Sequence, residues 1–176
     1  MKSVKNMLST AVIAAVLTVS AFALPVHAEE NTTSASTEFS YVQKNEPTYT
    51  VSIPSALALS KEGTALNIEA KDVADLDGKK VTVTIAGTDY YRNQLVLQAK
   101  TSKPTYTGTI RYQLIAADGN TIETTGNDTA TGTELASFTG NGTVTYTAKP
   151  VLDSRMNIEP GVNYTGTMTF GIGLTE

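Results

Sequence analysis

The sequence predicts an all-β fold: an antiparallel β-sandwich of about eight or nine strands. Three observations carry that expectation. Apolar and polar residues alternate with period two along most of the chain, turn residues punctuate the alternating runs, and no stretch after residue 28 offers a helical stripe. Successive side chains of a strand point to opposite faces, so period two marks one buried and one solvated face. Tyr49, Val51 and Ile53 alternate with Thr50 and Ser52 up to Pro54. Leu66, Ile68 and Ala70 repeat the pattern, and Val81, Val83 and Ile85 follow the Asp77-Gly78 turn. Leu95, Leu97 and Ala99 come next, then Ile110, Tyr112 and Leu114, then Val144, Tyr146 and Ala148. Threonine fills many outward positions, where it is a good strand former. Asp118-Gly119-Asn120 supplies the strongest hairpin signal, linking residues 110–116 to 121–125. Residues 124–142, rich in Thr, Gly and Asn, read as a long surface connection with residues 135–138 as a short strand inside it.

Residues 1–28 have the three parts of a secretory signal peptide. Lys2 and Lys5 give a positive start, and residues 11–24 form an apolar run broken by Thr18 and Ser20. That run is well short of the ~20 residues a retained membrane anchor needs. Pro25 stops the helix because its ring carries no N–H, and Val26-His27-Ala28 precedes the expected cut. The absence of Cys excludes a lipoprotein. Residues 29–38 are polar and without apolar periodicity, so they read as a flexible leader. Residues 39–176 read as a single β-sandwich domain, with no membrane span after cleavage.

Residues 164–174 carry the clearest alternation. Tyr164, Gly166, Met168, Phe170, Ile172 and Leu174 share one face, and Thr165, Thr167, Thr169, Gly171 and Gly173 share the other. An unbroken strand of that length runs to roughly 36 Å at about 3.3 Å per residue. It suits a central sandwich strand, or a strand that joins an intermolecular sheet. The closing segment PGVNYTGTMTFGIGLTE resembles the Y-T-G-T-x-T-F end of small exported β-sandwiches from Gram-positive bacteria. More loosely, it is similar to the final strand of fimbrial subunits and spore-coat sandwich proteins. The segment PTYTVSIPSALALSKEG resembles the Y-x-V-x-I-P-x-x-L-x-L opening of the same WxL-like and fimbrial-subunit-like surface proteins. The resemblance implies an Ig-like sandwich at the cell surface or in the extracellular matrix, as an adhesin or a fimbrial or wall-associated subunit. The chain departs from that pattern in having no Trp, hence no Trp-x-Leu motif. It ends at Glu176 without a sortase signal, so covalent wall anchoring by that route is not expected.

Composition narrows the chemistry. Cys and Trp are absent, and the one histidine, His27, lies inside the predicted signal. Ser-His-Asp and Cys-His hydrolysis need an imidazole to carry the proton, and zinc sites draw on His or Cys. No enzyme activity, metal or cofactor is expected. Asp72, Asp75 and Asp77 precede Gly78, but they lack the D-x-D-x-D-G spacing and closing Glu of a calcium loop. They read as turn residues. The net charge of −4 grows more negative when Lys2 and Lys5 leave. That excludes nucleic acid as a partner, because its phosphates demand clustered Lys and Arg. Tyr90, Tyr91, Arg92 and Asn93 form the candidate contact patch, able to stack on and hydrogen-bond a glycan or a protein. Their structural alternative is one tyrosine in the core and the other covering a sheet edge. Phe39 and Tyr41 form a candidate assembly strand, able to pair with the sheet edge of a neighbour. They also suit the first strand of their own sandwich.

These readings converge on a secreted, non-catalytic structural or adhesive subunit, associated with the cell surface without a covalent anchor. Its expected partners are copies of itself, other surface subunits, or a surface glycan. The alternative is a soluble, monomeric glycan- or peptide-binding module. The exported form is expected to begin at Glu29, which N-terminal sequencing of protein from the culture medium checks. Recovery of the full-length chain in the membrane fraction would refute it.

Overall fold

The computed structural model describes residues 2–4, by their backbone, and residues 37–176. The rest of the predicted signal peptide, and the leader up to residue 36, lie outside the described residues. The chain divides into two units, Met1–Met7 with Pro47–Glu176 and Leu8–Glu46. In the second, residues 37–46 are exposed and carry neither helix nor strand. Phe39 and Tyr41 belong to that stretch, and the next strand begins only at Thr48.

The first unit is an antiparallel β-sandwich. Its strands, in chain order, are β1 (Lys2–Val4), β2 (Thr48–Ile53), β3 (Thr64–Ala74), β4 (Lys80–Thr88), β5 (Val96–Gln98), β6 (Thr109–Ala116), β7 (Thr121–Ile122), β8 (Glu134–Phe138), β9 (Gly142–Pro150) and β10 (Met168–Thr175). The larger sheet runs β1-β2-β3-β9-β6-β5, and β7 also pairs with β6. The smaller sheet runs β10-β4-β8. All of these pairs are antiparallel. Among the described residues no helix is long and apolar enough to cross a membrane.

The alternating residues meet between the sheets. Leu66, Ile68 and Ala70 of β3, Tyr112 and Leu114 of β6, and Tyr146 and Ala148 of β9 supply one wall of the core. Val81, Val83 and Ile85 of β4 and Leu135, Ala136 and Phe138 of β8 supply the other. Burying each of the larger side chains contributes about 1.5–3 kcal/mol relative to leaving it in water. A buried hydrogen bond also crosses between the sheets, from the Tyr146 hydroxyl to the Leu135 carbonyl oxygen at 2.8 Å.

Three stretches depart from strict alternation. In β8, the pairing with β4 shifts between Val83↔Ala136 and Thr84↔Glu134, leaving Leu135 as the extra residue of a bulge. Two neighbours, Leu135 and Ala136, are therefore both buried, as a bulge permits. Residues 135–138 are thus a core strand, and the stretch before them is tied down. Thr124 is buried and its hydroxyl accepts from the Leu95 N–H at 2.8 Å. The Gly132 N–H donates to the Ile85 carbonyl, and the Ile85 N–H to the Thr133 carbonyl. The face expected of residues 95, 97 and 99 is also broken, since Leu95 and Val96 are both buried and β5 is short.

The long closing strand is divided. Thr165 bridges to Gln98 of β5 in the larger sheet, whereas Met168–Thr175 pairs with β4 in the smaller one. The chain changes sheets between them, and Gly166 stands at that corner. A Cβ on Gly166 would lie 2.7 Å from the Val96 carbonyl oxygen, closer than backbone tolerates. β10 is accordingly an edge strand, not a central one, and Met168, Phe170, Ile172 and Leu174 are only half-buried against the core. Gly166→Ala should therefore lower stability by about 1–3 kcal/mol. Gly173→Ala, with nothing near its added carbon, should stay within about 0.5 kcal/mol. Denaturant midpoints of the two variants check the contrast; equal loss would contradict the corner.

Candidate functional site

The apolar faces of β2 and β10 frame an open slot. β2 is built from Thr48–Ile53, with Val51 buried and Ile53 half-buried on the inward face. Pro54 follows directly and ends the strand, because it has no N–H for the ladder. Across from it, Met168, Phe170 and Ile172 of β10 face the core without being covered by a further strand. The slot between them has a volume of about 520 Å³. A second cavity of about 210 Å³ is lined by Leu57, Leu59, Leu66, Leu97 and Tyr112, and shares Pro54, Met168 and Phe170 with the slot.

The chemistry available there is burial. Among the described residues that line either cavity, Tyr112 is the ionisable one. Burial pushes its hydroxyl up to about 12, and the nearby Asp89 carboxylate adds to the rise. The phenol therefore stays neutral near pH 7. Burial likewise raises Tyr146, with smaller contributions from Asp118 and Glu134. Such a surface offers apolar contact along β2 and the edge strand β10.

The predicted contact patch lies elsewhere and is split in two. Tyr91 is 71% exposed, and the Arg92 guanidinium sits over its ring at 5.3 Å. A cation over an aromatic face is attracted by the ring quadrupole. Arg92 also donates through Nη1 to the Asn127 carbonyl at 3.4 Å. Tyr90 is half-buried, while Asn93 is a turn residue whose Oδ1 accepts from the Thr88 N–H at 3.1 Å. Arg92 and Asn93 both take positive φ, 55° and 53°. Only Tyr91 and Arg92 thus present themselves to a partner.

Phe39 and Tyr41 are 87% and 76% exposed, and Val42 beside them is 77% exposed. Sequence reasoning found the first two and passed over Val42. It also missed the slot, since Val51, Ile53, Met168, Phe170 and Ile172 read simply as core positions. Asp72, Asp75 and Asp77 all adopt positive φ, 54°, 56° and 52°; Asp72 lies within β3 where its pairing with β2 shifts register, and Asp75 and Asp77 lie in the turn between β3 and β4. Among the described residues no group of three or more His, Asp or Glu is placed to hold a metal ion.

In comparisons with known proteins, no family model, no curated protein and no solved structure matches the chain.

The Tyr112 environment has a measurable consequence. Its folded value lies above the ordinary 10.0, so the neutral form is favoured by folding. The associated stability is complete below pH 10 and is lost as pH rises toward 12, amounting to about 2–3 kcal/mol. Thermal transitions measured from pH 8 to 12 should decline over that upper window, and less steeply in Tyr112→Phe. An unchanged slope in the variant would count against the buried phenol.

Proposed function

We propose that the chain is a secreted, non-catalytic structural or adhesive subunit of a Gram-positive bacterial surface or extracellular matrix. The observation that supports this best is the open apolar slot between β2 and β10, where β10 is a sheet edge and β2 is bordered only by the three-residue β1. A sheet edge with unpaired N–H and C=O groups is a template for another strand. Together with apolar side chains beside it, such an edge suits strand addition, where backbone bonds give affinity and side-chain pockets give selectivity. The exposed aromatic arm and the export signal support the same reading. So does the likeness of the opening and closing segments to Ig-like, fimbrial and wall-associated proteins. The partners are further copies or other surface subunits.

A second reading rests on a different observation. Tyr91 and Arg92 form a stacked, outward-facing pair on a turn pinned at several points. A rigid aromatic with a neighbouring cation is a common way to hold a glycan or peptide, so a monomeric binding module is the alternative. Sedimentation of the processed protein over a wide concentration range separates the two. The subunit reading expects dimers and larger species that grow with concentration. A monomer throughout, with saturable glycan binding abolished by Tyr91→Ala, would favour the module.

A further inference from the structure

Resting on the subunit reading, the occupant of the β2 edge can be specified. That edge already carries a strand in this structure: β1 pairs antiparallel with it, Lys2 opposite Ile53, Ser3 opposite Ser52 and Val4 opposite Val51. Cross-strand partners share a face. A residue placed opposite Val51 or Ile53 therefore stands on the slot side, and one opposite Ser52 stands on the outer side. β1 belongs to the segment that the sequence marks for removal on export. The processed chain must then present this edge without β1.

The replacement is written in the arm. Phe39-Ser40-Tyr41 repeats the arrangement of a serine between two positions of the slot-facing set, with an aromatic at each. Both aromatics are exposed where they stand. The same chain is poorly placed to fold this segment back. Antiparallel pairing of Phe39 with Ile53 and Tyr41 with Val51 would bring Lys44 opposite Thr48, leaving Asn45, Glu46 and Pro47 as the loop. The usual three-residue hairpin loop needs positive φ at its last position, and Pro47 is locked near −65°. Slipping the register by one residue to change the loop would turn both aromatics outward.

We infer that Phe39-Ser40-Tyr41 of a second copy of this chain adds to the β2 edge, opposite Ile53-Ser52-Val51, and lays its two rings into the slot between β2 and β10. The donor's own β2 edge stays open for the next copy, so the contact is heterologous and repeats head to tail.

The absence of Cys makes the register directly testable. Neighbouring Cα atoms across an antiparallel pair lie about 4.5–5.5 Å apart, within the span of a disulfide. The buried core lies between Val51 and Ala148, so a chain starting at Glu29 keeps it whole; far-UV circular dichroism melts confirm that each variant is folded. Exported, processed Ser40→Cys protein is mixed with processed Ser52→Cys protein under mild oxidation, and the products are mapped by mass spectrometry. The expected product is a heterodimer joined between positions 40 and 52. Adding Phe39→Ser and Tyr41→Ser to the arm should cut its yield at limiting concentration by about tenfold or more. A parallel mixture with Thr169→Cys should cross-link far less. Preferential joining at position 169 would overturn the register. A Ser40→Cys/Ser52→Cys chain that closes on itself would overturn the second copy as occupant. Larger species of the unmodified processed protein without any 40–52 cross-link would sink this inference and leave the subunit reading standing. A monomer at every concentration would remove both.

Discussion

The sandwich depends on the burial of β4. Val81, Val83 and Ile85 have no exposed surface, and they stand at the centre of the smaller sheet with β10 on one side and β8 on the other. Neither flanking strand pairs with the other, so within their sheet both are joined through β4. No disulfide is available to bring the two sheets together, because the chain has no Cys. Apolar burial does that work, at about 25 cal/mol for each Å² removed from water. The hydroxyl of Tyr146 adds a directional constraint by reaching from β9 to the carbonyl of Leu135 in β8. A typical intramolecular hydrogen bond contributes about 0.5–1.5 kcal/mol net, whereas leaving the buried carbonyl unpaired would cost about 1–3. That bond therefore fixes how the sheets face one another more than it holds them together.

The sheets are unequal, and the slot follows from that inequality. Three strands cannot cover the face of a sheet that continues through β3 and β2, so the apolar side of β2 meets only the outer flank of β10. Val51 is buried there, but Ile53, Met168, Phe170 and Ile172 remain half-covered. A sandwich edge of this kind usually needs protection by charge, proline or a covering strand. β2 has a proline on each flank, Pro47 and Pro54, and no charged residue within it. The covering strand in this structure is β1.

Much of this architecture was legible in the sequence, because period two is a local property and burial enforces it. The triplets Leu66-Ile68-Ala70, Val81-Val83-Ile85 and Ile110-Tyr112-Leu114 lie buried as their spacing predicts. The departures are places where tertiary pairing overrides the local pattern. Nothing in Glu134-Leu135-Ala136 announces a bulge; the extra residue makes sense only against β4. The alternation of residues 164–174 is continuous in sequence, yet the chain switches sheets in the middle, since Thr165 finds Gln98 while Met168 finds Thr88. Gly166 was a visible small residue, but its reason, the Val96 carbonyl pressing on it, is non-local. The slot was illegible for the same cause. Which strands are edges depends on sheet order, and sheet order is not encoded in the period of any one strand. Of the contact patch, the exposed Tyr91 and Arg92 were readable as amphipathic surface groups. Asn93 proved to be a turn residue, because its carboxamide is committed to the Thr88 N–H.

The energetics of a strand joint at β2 say what kind of assembly such a protein could sustain. Ordering three residues of an arm costs about 1–2 kcal/mol each in backbone entropy. Burying two aromatic side chains returns about 1.5–3 kcal/mol each, and backbone bonds to Ser52 and its neighbours add about 1 kcal/mol. Gains and costs nearly cancel, before the loss of translational freedom on association is counted. A single joint in dilute solution is therefore weak. Tethering or crowding at a surface changes the balance, because each further contact then forms at a high effective concentration without any new interaction. On the proposed joint, a chain that has lost β1 stays dispersed while dilute and associates where copies accumulate.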